Sequence, residues 1–221
     1  MIEIAHRGYS ELYKDNTIKA FDAAINSKFD IIEMDIVLTK DNEIIIYHDT
    51  FMDDKLIRNM TLHEIISKDT DIITLNEFYQ KYDCNKHWIY LDVKGNDEYI
   101  CIYLHKCLQR LSSTNKILIG SFNTLVLNRL HTYSSDYNLG LITENVLSPS
   151  MLQRYIDLYN IKFVSFHWTA LNHINTRFLQ MKRVFVFTYT CKNDSIYKFM
   201  SEFSPDGIVT NYKLHNHENV T

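Results

Sequence analysis

Charged and imidazole side chains close four short apolar segments of this sequence. They are His6 in IEIAH, Glu33 and Asp35 in DIIEMDI, His48 in EIIIYH, and Asp92 with Lys94 in WIYLDVK. Because side chains alternate along a strand, Glu33 and Asp35 should project to one face, about 6.5–7 Å apart. Two carboxylates so placed can share one hard cation, with Asp92 as a third oxygen ligand. Without a cation they would repel each other and raise each other's pKa.

Each part of this pattern is weak by itself. A histidine at a strand end is more often structural than catalytic, Glu-x-Asp is frequent at solvated strand ends, and Asp-x-Lys is an ordinary ion pair. Their joint occurrence on four segments is harder to dismiss. In (β/α)8 barrels the active site is built at the C-terminal ends of several strands at once, so the pattern predicts one shared site.

The elements that must position these groups alternate apolar runs with segments of helical period, which is typical of βα units around a parallel sheet. The predicted strands are Ile2–His6, Ile31–Ile36, Glu43–His48, Trp88–Lys94, Ile117–Ser121, Tyr137–Ile142, Phe163–His167, Val184–Thr188 and Gly207–Thr210. The predicted helices lie near Thr17–Ser27, Asp97–Leu111, Leu125–Tyr133, Ser150–Tyr159 and Asp194–Phe203, with Asn16 in the N-cap position of the first.

Nine strands are one too many for an eightfold barrel, and residues 36–42 leave no room for a crossover helix between the second and third. Either the barrel is irregular or one candidate lies outside the sheet. We predict an irregular (β/α)8 TIM barrel with a short insertion after the third strand. We expect residues 1–213 to form one domain and residues 214–221, with His215 and His217, to form a flexible tail.

Composition and charge narrow the function. The chain has 221 residues, 46% of them hydrophobic, so it can bury a core, and its net charge of −4 argues against a nucleic-acid partner. No apolar run approaches the roughly 20 residues of a transmembrane helix, and MIEIAHRG does not read as a signal peptide. Four cysteines without CxxC spacing favour reduced thiols. We therefore expect an intracellular, cytoplasmic protein; nothing in the sequence indicates its oligomeric state.

The sequence resembles the glycerophosphodiester phosphodiesterase family, one of the phosphatidylinositol-phospholipase-C-like barrels. Three motifs carry the resemblance: HRG at 6–8, DNTIKAF at 15–21 and, most specifically, EMDIVLTKDNEIIIYHD at 33–49. Weaker matches follow in the family's order, namely ITLNEF at 73–78, LDVK at 91–94, SFN at 121–123, FTYT at 187–190 and DGIVTN at 206–211. Together they cover nearly the whole chain.

The resemblance implies a role for each matching position. It makes His6 and His48 the general acid and base, Glu33, Asp35 and Asp92 the ligands of one Mg2+ or Ca2+, Arg7 and Lys94 the phosphate-binding cations, and Phe187 an apolar platform for the substrate. The implied reaction is metal-dependent hydrolysis of a glycerophosphodiester to glycerol 3-phosphate and an alcohol. Attack by the substrate's own 2-hydroxyl would give a cyclic phosphate on the way.

Departures from the family pattern keep two alternatives open, of which the first is a lysophospholipase D or sphingomyelinase D-like phospholipase. Asp92 and Asp15 stand where the family usually has glutamate, and Asp-x-Lys is the form of related sphingomyelinase D-like and phospholipase D-like barrels. The short segment 49–74 predicts an open site that admits lysophospholipids, with transient contact at a membrane surface. A catalytically silent phosphate-binding module is the second alternative. Phe122, His167 and Trp168 lie near strand ends, where they either line the mouth of the barrel or pack in the core.

Overall fold

The computed structural model describes residues 1–214. In chain order the elements are β1 (Ile2–Ala5), α1 (Ile18–Asn26), β2 (Ile31–Leu38), β3 (Ile44–Ile46), β4 (Phe51–Met52), β5 (Lys55–Leu56), a 3-10 helix (Ile57–Asn59), α2 (Leu62–Ile66), α3 (Leu75–Lys81), β6 (Trp88–Val93), α4 (Ile100–Leu108), β7 (Ile117–Ser121), α5 (Thr124–Tyr133), β8 (Asn138–Thr143), α6 (Pro149–Tyr159), β9 (Phe163–His167), a second 3-10 helix (Trp168–Ala170), α7 (His173–Met181), β10 (Phe185–Cys191), α8 (Asp194–Glu202) and β11 (Gly207–Thr210). All nine predicted strands and all five predicted helices are confirmed.

Eight parallel strands close into a barrel in the order β1-β2-β6-β7-β8-β9-β10-β11, and β11 pairs with β1 to complete the ring. Helices connect successive strands on the outside, so the fold is the predicted (β/α)8 barrel. Each strand contributes one large side chain to an apolar layer inside the ring. These residues are Ile4, Ile31, Tyr90, Leu118, Ile142, Phe163, Phe187 and Val209. The layer fills the lower part of the barrel, toward the N-terminal ends of the strands, as is usual for this fold. The polar side chains lie above it, toward the C-terminal ends.

The ninth predicted strand, β3, does not belong to the ring. It pairs antiparallel with the upper end of β2, where Ile36 lies opposite Ile46 and Leu38 opposite Ile44. Ile44 and Ile46 therefore belong to the core outside the ring and not to the barrel interior. The short 36–42 connection is explained, because an antiparallel hairpin needs no crossover helix. Because β3 runs antiparallel to β2, the chain returns toward the barrel after residue 42, and His48 lies at the mouth just after β3.

Sequence periodicity missed α2, α3 and α7. The first two are short, but each begins with a capping box, in which Thr61 and Glu64, and Thr74 and Glu77, exchange side-chain and backbone hydrogen bonds. The helix α3 supplies the crossover between β2 and β6. In the described part of the chain every helix is too short or too polar to span a lipid bilayer.

The cap of the first helix differs from expectation. The side chain of Thr17, and not of Asn16, caps α1 by accepting the N–H of Ala20. His215 and His217 lie outside the described residues, and Leu214, the last residue described, is buried beside Met200 and Ile208. The four cysteines are buried free thiols.

Candidate active site

A cavity of about 300 Å³ lies at the C-terminal end of the barrel strands. Six of the predicted site residues line it: His6, Arg7, Glu33, His48, Asp92 and Lys94. Asp35 lies directly behind the cavity wall, 1% exposed, and its carboxylate contacts both Arg7 and Lys94. The structure therefore brings together groups from β1, β2 and β6 and from the segment that follows β3.

A tight turn after β1 places the backbone of Arg7 and Gly8 against β2. Both residues have positive φ, 57° and 78°. The N–H of Arg7 donates to Oε2 of Glu33 at 2.8 Å, and the N–H of Gly8 donates to the Glu33 carbonyl oxygen at 3.3 Å. A Cβ at Gly8 would lie 2.7 Å from the carbonyl carbon of Ala20, so the turn that orients the Glu33 carboxylate requires glycine at position 8.

Glu33, Asp35 and Asp92 form a buried acidic cluster whose ligand atoms all lie within 4.8 Å of one another. Burial, and the charges of Asp35 and Asp92, raise the pKa of Glu33 well above its usual value. Burial likewise raises the pKa of Asp92 to about 6, against the attraction of Lys94. Oδ1 of Asp92 is buried without a hydrogen-bond partner among residues 1–214. Three converging carboxylates with an unpaired oxygen fit a hard divalent cation.

Two cations face this cluster. Nζ of Lys94 lies 3.0 Å from Oδ1 of Asp35 and also contacts Asp92, while Nε of Arg7 lies 3.0 Å from Oδ2 of Asp35. Although burial opposes it, Lys94 and Arg7 lower the pKa of Asp35. The Asn16 amide, in a left-handed turn, also donates to Asp35 at 2.9 Å. Asp35 is thus held ionised, and both cations line the cavity.

The two histidines have different surroundings. Nδ1 of His6 lies 2.7 Å from Oδ1 of Asn211, and burial, with the charge of Arg7, lowers the pKa of His6 to about 4. Neutral His6 therefore donates from Nδ1 to Asn211, which leaves Nε2 as a proton acceptor. Nδ1 of His48 lies 2.7 Å from Oδ1 of Asp49, and its side chain is 40% exposed. His6 is therefore suited to accept a proton, while His48 lies beside a carboxylate at the edge of the cavity.

Phe187 is not brought to this cavity. Its side chain lies in the apolar layer inside the barrel and borders a separate cavity at the opposite end, near Ile31 and Trp88. Tyr189, two residues further along the same face of β10, lines the mouth instead. Among the other predicted candidates, Phe122 lines the mouth, while Trp168 packs against Phe199.

Sequence reasoning also missed Asn211, Asn16 and Glu144. Asn16 and Asn211 stood inside the matching stretches DNTIKAF and DGIVTN, so the motifs contained the signal although no role was assigned to either side chain. Glu144 directly follows β8, and its position at a strand end was the only sequence signal available.

A barrel mouth that combines a buried acidic cluster, two cations and two histidines defines a hydrolase of phosphate esters, and more narrowly a phosphoric diester hydrolase. The family follows from comparison with known proteins. Residues 6–214 match the profile of the glycerophosphoryl diester phosphodiesterase family, and the chain belongs to that family.

Curated relatives agree with this assignment, and a solved structure shares the fold. The YhdW protein of Bacillus subtilis is 26% identical over the full length of both chains. The glycerophosphodiester phosphodiesterase of Caldanaerobacter subterraneus is 24% identical, covering 94% of this chain and 92% of that one. A phosphodiesterase of Oleispira antarctica, solved with the product sn-glycerol-3-phosphate, superposes with a TM-score of 0.85 at 18% identity, over 96% of this chain and 93% of that one.

Proposed function

We propose that the chain hydrolyses glycerophosphodiesters to glycerol 3-phosphate and an alcohol, with His6 and His48 as base and acid and with one Mg2+ or Ca2+ held by Glu33, Asp35 and Asp92. The observation that carries this proposal is the convergence of both histidines and the acidic cluster on one cavity. The Oleispira antarctica phosphodiesterase, which shares the fold, was solved with sn-glycerol-3-phosphate, and this supports the assignment of the substrate.

Each group of site residues would have its own role in the hydrolysis. A divalent cation, when bound, neutralises part of the phosphate charge in the transition state. Arg7 and Lys94 bind the phosphate oxygens and orient them. His6, neutral and with Nε2 free, takes the proton from the attacking hydroxyl, and His48 gives a proton to the oxygen of the departing alcohol.

The attacking hydroxyl in the first step would be the 2-hydroxyl of the substrate's glycerol. Its oxygen bonds to phosphorus as the bond to the alcohol breaks, which leaves a cyclic phosphate and the two histidines with exchanged protonation states. In the second step His48 takes a proton from water, the water oxygen bonds to phosphorus, and His6 returns its proton to the 2-oxygen. The products are glycerol 3-phosphate and the free enzyme in its starting state.

The test is 31P NMR of the protein with glycerophosphocholine in Mg2+, in Ca2+ and in EDTA. We expect glycerol 3-phosphate to form with a cation and not in EDTA. His6→Ala and His48→Ala should each lower the rate by about 100- to 10,000-fold. His63→Ala, an exposed histidine of α2 outside the cavity, is the matched control. Absence of any new phosphorus signal with either cation would contradict hydrolysis and favour the phosphate-binding module.

Lysophospholipids are a second candidate substrate. Exposed apolar side chains lie in the segments that follow β1, β3, β7 and β8; they are Leu12, Tyr13, Phe51, Leu125 and Val146. Such side chains could contact a lipid surface transiently and bring an acylated glycerol to the cavity. In the same NMR assay lysophosphatidylcholine would then give lysophosphatidic acid or a cyclic phosphate. Strict preference for glycerophosphocholine would exclude this candidate.

A further inference from the structure

The mouth of the barrel has two chemically different halves. The half built on β1, β2 and β6 holds the acidic cluster and the phosphate-binding cations. The other half is built on β7, β8 and β10 and presents Phe122, Glu144 and Tyr189 to the same cavity. A diester whose phosphate lies against the first half can place one of its two alcohols against the second, because both halves line one cavity.

Phe122 and Tyr189 form an aromatic corner. Their ring centroids are 6.2 Å apart and the ring planes are almost perpendicular, at 87°. The hydroxyl of Tyr189 donates to the carbonyl oxygen of Thr143, 3.4 Å away, which fixes that ring. Nζ of Lys94 lies 5.7 Å from the Phe122 centroid, so a cation already lies against one of these rings. Aromatic faces attract cations, and most strongly where water is partly excluded.

Glu144 adds a negative charge to this corner. Its side chain is exposed and lines the cavity, and no ion pair or hydrogen bond to it occurs within the described chain. A free carboxylate at the edge of a cavity that must take an anionic phosphate is unfavourable for a neutral or purely anionic substrate. It becomes favourable if the substrate itself carries a positive charge on that side.

We propose that Phe122, Tyr189 and Glu144 form a subsite for a positively charged alcohol group, and that they select glycerophosphodiesters of cationic amino alcohols over those of neutral polyols. This inference rests on the proposed hydrolysis, because it concerns the second half of the same substrate. The phosphate then lies between the acidic cluster and the aromatic corner. The ammonium group contacts the ring faces, and Glu144 balances its charge.

The test compares kcat/KM for glycerophosphocholine with kcat/KM for glycerophosphoglycerol, whose alcohol is neutral and of similar size. Wild-type enzyme should prefer the choline ester. Glu144→Gln, Phe122→Leu and Tyr189→Leu should each lower the ratio of the two values by about fivefold. Tyr189→Phe keeps the ring face but loses the hydroxyl that fixes it, so it should lower the ratio less than Tyr189→Leu does. Glu202→Gln removes an exposed carboxylate of α8 outside the cavity and serves as the charge control.

Three results would overturn the subsite. These are equal kcat/KM values for both esters in the wild type, an equal loss for both esters in Glu144→Gln, and an unchanged ratio in Phe122→Leu. An equal loss would mean that the carboxylate contacts the glycerol that both esters share. If neither ester is hydrolysed, the proposed function fails separately, and isothermal titration of the same two esters then decides. Tighter binding of the choline ester that Glu144→Gln abolishes supports the subsite, and equal binding overturns it.

Discussion

Two hydrogen bonds to residues at the end of β11 fix the position of His6. Its backbone N–H donates to the carbonyl oxygen of Thr210 at 2.9 Å, and its Nδ1 lies 2.7 Å from the Asn211 side-chain oxygen. The second bond fixes both the ring orientation and the tautomer, because Nδ1 must carry the hydrogen. Asn211 is therefore a positioning residue for the proposed base.

Replacing Asn211 should separate positioning from chemistry. We expect Asn211→Leu to lower kcat about tenfold, less than the loss in His6→Ala, because Nε2 is present but poorly oriented. Asn211→Asp keeps the acceptor and adds a negative charge that favours the protonated imidazole. The pKa of His6 should rise, so the acid limb of the pH–rate profile moves to higher pH. A profile unchanged in Asn211→Asp, with full activity in Asn211→Leu, would contradict the role.

The residue types at strand ends predicted most of the side chains that line the cavity. They did not predict which of two residues on the same face of a strand lies at the mouth. Four site residues were identifiable because a polar side chain at the end of an apolar strand segment stands out in the sequence; they are His6, Glu33, Asp92 and Lys94. Phe187 and Tyr189 share one face of β10, and the sequence does not say which lies at the mouth. That depends on the stagger of β10 against β9, where Tyr189 pairs with His167 at the end of the neighbouring strand.

At the scale of elements, the turn after β1 joins three parts of the site. It directs the backbone N–H of Arg7 to Glu33, its guanidinium to Asp35, and Gly8 against α1. The close approach to Ala20 leaves no space for a side chain at Gly8. The conformation of this turn is therefore coupled to the packing of α1 and to the orientation of the acidic cluster.

Two glycines allow this coupling to be measured. Gly8 and Gly95 have nearly equal φ, 78° and 81°, but a Cβ at Gly95 would meet only Cγ2 of Thr50, at 3.5 Å. Gly95→Ala should cost about 1–2 kcal/mol of unfolding free energy, from the left-handed conformation. Gly8→Ala should cost about 1–3 kcal/mol more, because the helix must move. Urea unfolding of both variants checks this, and equal losses would contradict the steric argument.

Short length hid two of the three missed helices, whereas α7 has nine residues, as many as α4, but Leu179 is its only buried apolar residue. The apolar stripe of α4 spans several turns, whereas α2 has five residues and α3 has seven, too few for a period to emerge. Their Thr-x-x-Glu boxes would have revealed them. The direction of β3 was not readable from its apolar alternation, because parallel and antiparallel strands share the same period. Only the short connection before it indicated a hairpin.

For the molecule as a whole, the barrel separates an apolar lower layer from a charged upper one. Three buried carboxylates there face the two cations Arg7 and Lys94, and Arg7 also pairs with Asp15, so negative charge exceeds positive charge at this site among the described residues. In metal-free protein a proton on Glu33 is the available compensation, consistent with its raised pKa. A divalent cation would supply more positive charge and release that proton. Metal binding and folding stability are therefore linked through pH.

The linkage has a definite sign. A carboxyl group whose pKa is raised in the folded state stabilises the fold fully below its unfolded pKa, and this contribution is lost as pH rises through the folded pKa. For Asp92 the window lies between about 4 and 6. His6, whose pKa falls from 6.5 to about 4, works in the opposite direction over a similar window. The pH dependence of the wild type alone is thus ambiguous, and a matched variant is needed.

The variant Glu33→Gln tests how the charge of the Glu33 carboxylate affects the free energy of unfolding. In EDTA, the substituted amide keeps an oxygen for the Arg7 N–H but carries no charge, so the variant should gain stability relative to wild type as pH rises from 5 to 8. Each unit of upward pKa shift that the pH passes through adds about 1.4 kcal/mol to this difference in unfolding free energy.

Saturating Mg2+ or Ca2+ should make wild type the more stable of the two, because the cation raises the unfolding temperature of wild type and not of a variant that has lost a ligand. Urea unfolding at both pH values, with Glu202→Gln as the exposed control, measures the first effect, and thermal unfolding with each cation measures the second. A stability difference that is independent of pH and cation would show that Glu33 neither carries a strained charge nor holds a metal.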